Sequence, residues 1–539
     1  VVGRFPDWGD AGPVSIIEPP GSLMLRDENG GMPLTTGGHP PTALTGRLTD
    51  GPGDLLRDEV LDPQFRYEAE HLLPWYVAIE QVLVAEYLRM GLVTGEDAVE
   101  LGSALASVTS RTVEKWRADS MSDIAFALER YVEQRLPRPV RTWHVDRSRN
   151  DLQACAQLLF GRDQLCGTAS TLLEFGATAH RLAGESAGIP MPGYTHHQAA
   201  QVISPGFYFA ALSDQVLHTA RRWLATYDGM DACPLGAGVM AGQELPWDRG
   251  RMARLLGFRT VQALALTSVA SRGWVAEVTA ELGLLGTALS RFTTDLLTWG
   301  GSEHGFIDLP DELSGISSAM PQKKNFPVLE RIRGRTAHLT AFHLDVVLGQ
   351  RNTPYANSVE VSKEAGAHLL AAFTSCRGTL RLFTAVLAGL RLREDRMAAA
   401  CERAYLGGFA LANRLTLEEQ LPWRRAQVIS GAYIVAATQA GRTPSQVDPE
   451  LLRRIAAEHG FSLSDPEKAL RTAFGGGLGQ FTSVGGTGPE SVRAVLAAQS
   501  DEYQRLGREW TVRRASVTVG RTAVCEELGV GPPGRTGEA

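Results

Sequence analysis

Apolar residues recur at three- and four-residue spacing through five long stretches, roughly 150–186, 205–228, 266–300, 327–349 and 358–391. Short polar or Gly/Pro-rich connections separate them. Stretches approaching about thirty residues exceed the usual globular helix. Their wide apolar faces suit a long bundle that buries itself against another subunit. No alternating run or Asn-Gly hairpin of a sheet protein occurs in this region, so the expected class is all-α. Amphipathic helices of modest length are expected from Asp62 to Leu136. Shorter helices return from Glu394 to Arg508, punctuated by Gly475-Gly476-Gly477 and Gly485-Gly486. Residues 1–44, rich in Gly and Pro without an apolar period, read as an extended arm. The expected organisation is that arm, an N-terminal helical domain (45–147), a central long-helix domain (148–393), a C-terminal helical domain (394–512) and a tail (513–539).

The composition is ordinary for a soluble globular chain: 539 residues, 44% hydrophobic and 21% charged. A net charge of −7 gives no nucleic-acid footprint. The cysteines at 155, 166, 233, 376, 401 and 525 are scattered, without CxxC or metal-ligand spacing. They read as reduced thiols of a cytosolic protein, with no metal site. No apolar run reaches bilayer length, and Val1 to Asp7 lack the order of a signal peptide. A cytoplasmic protein without membrane contact is therefore expected. One skew changes the picture. The chain has five lysines (115, 323, 324, 363, 468), and its other basic residues are arginine. A lysine kept against that bias suggests chemistry.

Three polar segments interrupt the helices. His144-Val-Asp-Arg-Ser-Arg-Asn-Asp151 opens the first long helix, where Ser148, Asn150 or Asp151 can serve as N-cap. Arg147 and Arg149 oppose the helix dipole there, which makes sense if that end receives an anion. Pro192-Gly-Tyr-Thr-His-His-Gln198 reads as a turn feeding the next helix, with Thr195 and His196 able to bind a carboxylate and move a proton. Gly315-Ile-Ser-Ser-Ala-Met-Pro-Gln-Lys-Lys-Asn325 reads as a loop before a helix near Pro327. Its serines, lysines and Asn325 supply a base, a cation and an amide for a developing negative charge.

Ser317-Ser-Ala-Met-Pro-Gln-Lys-Lys-Asn325 resembles the signature loop of the fumarase/aspartase superfamily. Arg147-Ser-Arg-Asn-Asp151 and Pro192-Gly-Tyr-Thr-His196 resemble the argininosuccinate lyase forms of the other two signature regions. Pro234 to Gly242, Glu303 to Phe306, Gly407-Gly-Phe409 and Gly485 to Pro489 are similar to further segments in the same order, over about residues 45 to 510. The resemblance implies a three-domain all-α fold, with four subunits pooling their long helices in a twenty-helix core. It implies active sites built from three chains of that homotetramer. The implied reaction is anti β-elimination of fumarate from an N-substituted aspartate, without cofactor. Ser317 would be the base, His196 would lie on the proton-donor side, and Lys323 and Asn325 would hold the fumarate-half carboxylates. Thr195 and Asn150 would add hydrogen bonds, with Arg149 beside Asn150 at its helix end. Tyr355 and Lys363, in Tyr355-Ala-Asn-Ser-Val-Glu-Val-Ser-Lys363, match contacts to the amine.

Departures from the family pattern cluster on the amine side. Glu360 replaces a Gln, and Ser358 an Asp. Ala125 and Leu128 replace His and Asn in Ser122–Glu129. The Asp of Tyr-Asp-Arg-His-Leu falls at Ala69, between Glu68 and Glu70. Ile316 and Asp146 replace glycines, and Asn325-Phe-Pro327 replaces Asn-Pro-Asp. The fumarate half is kept and the amine half rebuilt. Glu360 is expected either to pair with Lys363 or to bind a cationic part of the leaving amine, which favours a specialised biosynthetic lyase. The alternatives are a housekeeping argininosuccinate lyase of arginine biosynthesis and an inactive structural homologue.

Overall fold

The computed structural model describes residues 51–119 and 123–531. The expected arm, Ser122 and residues 532–539 of the expected tail lie outside them.

Capping residues set where the helices begin. Helices α1 (Asp62–His71) and α2 (Leu73–Arg89) each carry a proline in the first turn, where a missing N–H costs nothing. A capping box between Thr94 and Asp97 starts α3 (Gly95–Ala106), and α4 (Ala125–Glu133) follows. Ser148 caps α5 (Arg149–Glu185), its Oγ accepting the Asn150 N–H at 3.1 Å. An antiparallel hairpin, β1 (Met191–Thr195) and β2 (Gln198–Ile203), stands where a simple turn was expected. Ser204 then caps α6 (Pro205–Gly229). The bundle is completed by α7 (Gly273–Gly300), α8 (Pro327–Gln350) and α9 (Leu369–Gly389).

Two of the five long helices are shorter than their apolar pattern. Arg272 leaves the helical region (φ −124°, ψ 29°), so Ala265–Ala270 stands as a separate turn before α7. Lys363 (φ −126°, ψ −59°) ends the short helix Val359–Ser362 before α9. At both breaks a long cationic side chain is drawn into the protein, and the backbone yields to place it.

The C-terminal helices are α10 (Glu394–Arg403), α11 (Gly408–Leu417), α12 (Trp423–Gln439), α13 (Pro449–Glu458), α14 (Pro466–Gly475) and α15 (Pro489–Glu527). Leu411, Leu415, Ile429, Tyr433, Leu452 and Leu470 give α11–α14 a core of their own. Helix α15 instead sends Leu496, Leu506, Trp510 and Val524 into the main core and lies along α5 and α6. It runs to Glu527, through much of the expected tail. Its buried positions Val492, Leu496, Gln499, Leu506 and Trp510 keep helical spacing, and beyond Trp510 the next buried residue is Gly520, followed by Val524 and Cys525. Gly176 of α5 permits this packing: a Cβ there would sit 2.3 Å from the Tyr503 hydroxyl and 2.6 Å from Val216. Among the described residues, no helix is long and apolar enough to cross a membrane.

Candidate active site

At the start of α5 the polar residues are tied down by short-range partners. Asp146 replaces a family glycine and keeps a glycine-like backbone (φ 55°), which Asp tolerates better than most residues. Its carboxylate accepts the Leu245 N–H at 2.8 Å and the Trp247 indole N–H at 2.9 Å. Burial opposes its ionisation, but these donors outweigh burial and hold the carboxyl below its usual range. Arg147 does not face an incoming anion as expected. It is buried against Glu80, a partner within the chain. Arg149 lies 3.0 Å from Asp123 and over the Phe126 ring at 4.3 Å. The Asn150 amide donates to the Val239 carbonyl at 3.1 Å. Asp151 accepts from the Gly236 and Gly238 N–H groups at 2.9 and 3.0 Å. Those glycines have φ of 85° and 62°, which turns both amides onto one oxygen. Burial pushes the Asp151 carboxyl up to about 6.

The segment carrying Tyr355, Glu360 and Lys363 joins the same end of the bundle. Gln157, two turns along α5 from Arg149, donates to the Ser362 carbonyl at 2.6 Å. Lys363 does not pair with Glu360: its ammonium bonds Glu68 of α1. Glu68 also accepts the Ile124 N–H at 2.8 Å. Burial raises the Glu68 carboxyl, with Lys363 opposing. The acidic position on α1 is thus Glu68, immediately before Ala69. Glu360 faces solvent, and its own backbone N–H and then Ser358 keep it ionised. Tyr355 is also exposed.

The hairpin places Thr195 and His196 at an exposed tip. Thr195 and Gln198 pair across it, leaving His196 and His197 as the two turn residues, with φ of 53° and 60°. Left-handed backbone at both positions is the pattern of a type I′ turn, normally made by Asn and Gly. Two histidines there are strained, and such strain is characteristic of functional sites. The edge of the Tyr194 ring meets His304, with centroids 5.7 Å apart.

In the signature loop the two lysines divide the work. Lys324 lies 3.0 Å from Asp308 and 3.1 Å from Asp311, and donates to the Leu309 carbonyl at 2.6 Å. It anchors the loop, while Lys323 is exposed. A two-residue ladder, Gly315–Ile316 with Lys324–Asn325, closes the base, and the Asn325 amide reaches the Ile316 carbonyl at 3.4 Å. Ser317 Oγ accepts the Met320 N–H at 3.1 Å. Ile316 projects into solvent, which explains how it can replace a glycine.

These residues form two groups. Arg149, Asn150 and Lys363 lie at the start of α5. The hairpin follows the other end of that helix, and the signature loop precedes α8 on the hairpin side. The 37 residues of α5 span about 55 Å at 1.5 Å per residue. Sequence reasoning missed the buried carboxylates Glu68 and Asp123, and the partly buried Asp146, as site-builders. The one available signal was Glu68, displaced by a single residue from an expected acid. Among the described residues, no group of three or more His, Cys, Asp or Glu side chains is placed to hold a metal ion.

Comparison with known proteins identifies the family and the fold. The family model described as lyase matches residues 92–339. Argininosuccinate lyase of Aquifex aeolicus (strain VF5) is 30% identical over 425 residues, spanning 77% of this chain and 90% of the relative. That of Aromatoleum aromaticum is 28% identical over 470 residues, spanning 86% and 98%. An EDDS lyase variant with bound fumarate has the same fold, with a TM-score of 0.77 at 22% identity over 89% of this chain and 95% of that one. With the signature segments in order and the long-helix bundle that carries them, the chain belongs to the argininosuccinate lyase family of the fumarase/aspartase superfamily.

Proposed function

We propose that the protein is a carbon–nitrogen lyase that releases fumarate from an N-substituted aspartate by anti elimination. The observation that carries this reading is the pair of anchored, solvent-facing elements beyond the far end of α5. The hairpin presents Thr195 and His196. The signature loop spends Lys324 on its own anchorage and leaves Ser317, Lys323 and Asn325 available. Ser317 removes the proton beside one carboxylate of the succinyl group. Lys323 and Asn325 stabilise the resulting aci-carboxylate, with Thr195 hydrogen-bonded to the same half. The C–N bond then breaks as the amine takes a proton on the His196 side. A serine hydroxyl is a weak base, so closure of the loop over substrate must bring a cation and amide donors to its oxygen.

Two groups at opposite ends of a helix about 55 Å long cannot form one site in a single chain. We therefore assign a homotetramer whose sites draw on more than one subunit. Leu284 on α7 and Leu344 and Leu348 on α8, all more than half exposed, supply apolar surface for that association. The six free cysteines fit a reducing compartment, and we place the protein in the cytoplasm.

On the amine side, Glu360 remains available to a cationic part of the leaving amine, because Lys363 is engaged by Glu68. This favours a specialised lyase over the housekeeping enzyme. The deciding experiment adds argininosuccinate and follows fumarate absorbance in the wild type and in Glu360→Gln. Slow turnover that Glu360→Gln improves several-fold is expected. Housekeeping rates that fall on substitution would make Glu360 a tolerated exchange in an ordinary argininosuccinate lyase. No fumarate from any N-substituted aspartate would leave the inactive homologue.

A further inference from the structure

Partway along α5, away from both reactive groups, three guanidiniums share one carboxylate. Asp163 lies about 21 Å along the helix from Arg149 and about 33 Å from the end that leads to the hairpin, at ~1.5 Å per residue. Enclosure between the helices raises the Asp163 carboxyl, and Arg514 of α15, Arg377 of α9 and Arg521 of α15 oppose that rise. Its side chain still reaches solvent. Arg377 spends Nη1 on neutral acceptors, Gln164 Oε1 at 2.9 Å and Thr168 Oγ1 at 3.1 Å. Arg521 Nε is buried without a partner. Burial pushes Arg377 and Arg521 down, and among the described residues Asp163 is the one carboxylate that opposes this at either. By contrast, Arg505 and Arg513 on the same helix α15 have carboxylates of their own, Glu502 for the first, Asp228 and Glu509 for the second. A guanidinium keeps its charge at neutral pH, so the cluster around Asp163 carries excess positive charge.

A groove of about 540 Å³ opens beside this cluster, between α5 and α15. Arg514, Trp510, Thr511 and Thr518 line it from α15, and Cys166 and Ser170 from α5. Small-molecule sites commonly enclose roughly 300–1,000 Å³. Trp510 is 4% exposed, and its indole N–H is buried without an acceptor. That group can only donate, so leaving it unpaired is costly. The groove thus joins a cationic end, a row of hydroxyls and an aromatic floor that lacks an acceptor. It lies on helices other than α7 and α8, whose exposed leucines supply the surface for association.

We propose that this groove is a second ligand site, which binds a small organic anion. An oxyanion head, carboxylate or phosphate, sits on Arg514, Arg377 and Arg521, and the body lies along Trp510 beside the hydroxyls of Ser170, Thr511 and Thr518. Guanidinium forks match the paired oxygens of both head groups. The bound anion offsets the charge that Asp163 leaves uncompensated and ties α15 and α9 to α5. None of these residues takes part in the elimination, so the site stands whether or not the lyase reading does.

The test titrates the full chain with inorganic phosphate, and in parallel with acetate, at constant ionic strength while tryptophan fluorescence is followed. A saturable change is expected with at least one of them, and the tighter of the two identifies the head group. Arg514→Met should weaken that binding about tenfold or more, the order expected for one charged hydrogen bond, and leave turnover unchanged. Arg514 is exposed, so the variant should fold. Lys323→Met, which alters the signature loop alone, should bind like the wild type. A response that does not saturate, or that survives Arg514→Met, overturns the site. A response lost in Lys323→Met belongs to the active site and overturns it equally. If Arg514→Met splits the assembly in native mass spectrometry, the arginines serve a subunit contact and the proposal fails. A second readout needs no variant. Modification of Arg514 by phenylglyoxal, followed by peptide mass, should slow when the tighter anion is present, and an unprotected Arg514 would refute the site.

Discussion

Ser317 and Asp151 show how differently a polar residue can be used. Ser317 is partly exposed and bonded to one local amide, so Ser317→Ala removes chemistry and little else. Turnover should vanish while the circular dichroism spectrum and Tm stay unchanged. Lys323→Met should be nearly as damaging, since it leaves the aci-carboxylate without its cation. Near wild-type rates in either variant would mean that the base or the cation is misassigned. Asp151 is structural, and its prediction concerns pH. Burial lifts its folded-state pKa to about 6, while the unfolded value stays near ~4. Between those values the folded protein keeps a proton that the unfolded chain has released. The contribution is full below about pH 4 and is lost as pH rises through about 6. Two units correspond to about 3 kcal/mol. In urea unfolding at a series of pH values, the wild type should lose roughly that amount relative to Asp151→Asn across the window. Parallel stability profiles for the two proteins would refute the assignment.

Among the elements, the hairpin is the most instructive. Its strands were missed because the tip, His196-His197, lacks the Asn-Gly chemistry that announces such a turn, and because Tyr194 to Ala200 do not alternate cleanly. The strain there is separable from the chemistry. His197→Gly should stabilise the protein by about 0.5–1 kcal/mol, the benefit of glycine in left-handed backbone less its entropy cost, and leave turnover intact. His196→Gly should be equally well tolerated by the fold yet inactive. A lower Tm for His197→Gly would show that its imidazole is held by contacts stronger than the strain. The bundle itself was legible from apolar spacing: α5, α6 and α8 begin and end within about a residue or two of their patterns, within the usual margin for helix ends. Spacing could not show the breaks at Arg272 and Lys363, because what interrupts those helices is the burial of a cation against residues more than a hundred positions away. The three signature segments were equally legible, being local strings. Glu68 and Asp123 were not, since their roles come from partners remote in sequence.

At the scale of the whole molecule, the prediction is complementation. Subunits carrying Ser317→Ala in the loop and subunits carrying Asn150→Ala at the start of α5, each impaired alone, should regain part of the activity when unfolded together and refolded as mixed tetramers, since some sites would then receive only intact segments. Mixed tetramers verified by mass and still inactive would argue against sites shared between chains. The separation of reactive groups along α5 also bears on timing and amount. A chain with its groups at opposite ends of a rod is inert as it leaves the ribosome and stays inert while it folds. It gains its chemistry only by meeting other copies. Specific activity should therefore depend on protein concentration, falling steeply on dilution below the assembly threshold. A modest fall in synthesis would silence the enzyme out of proportion to the number of chains lost.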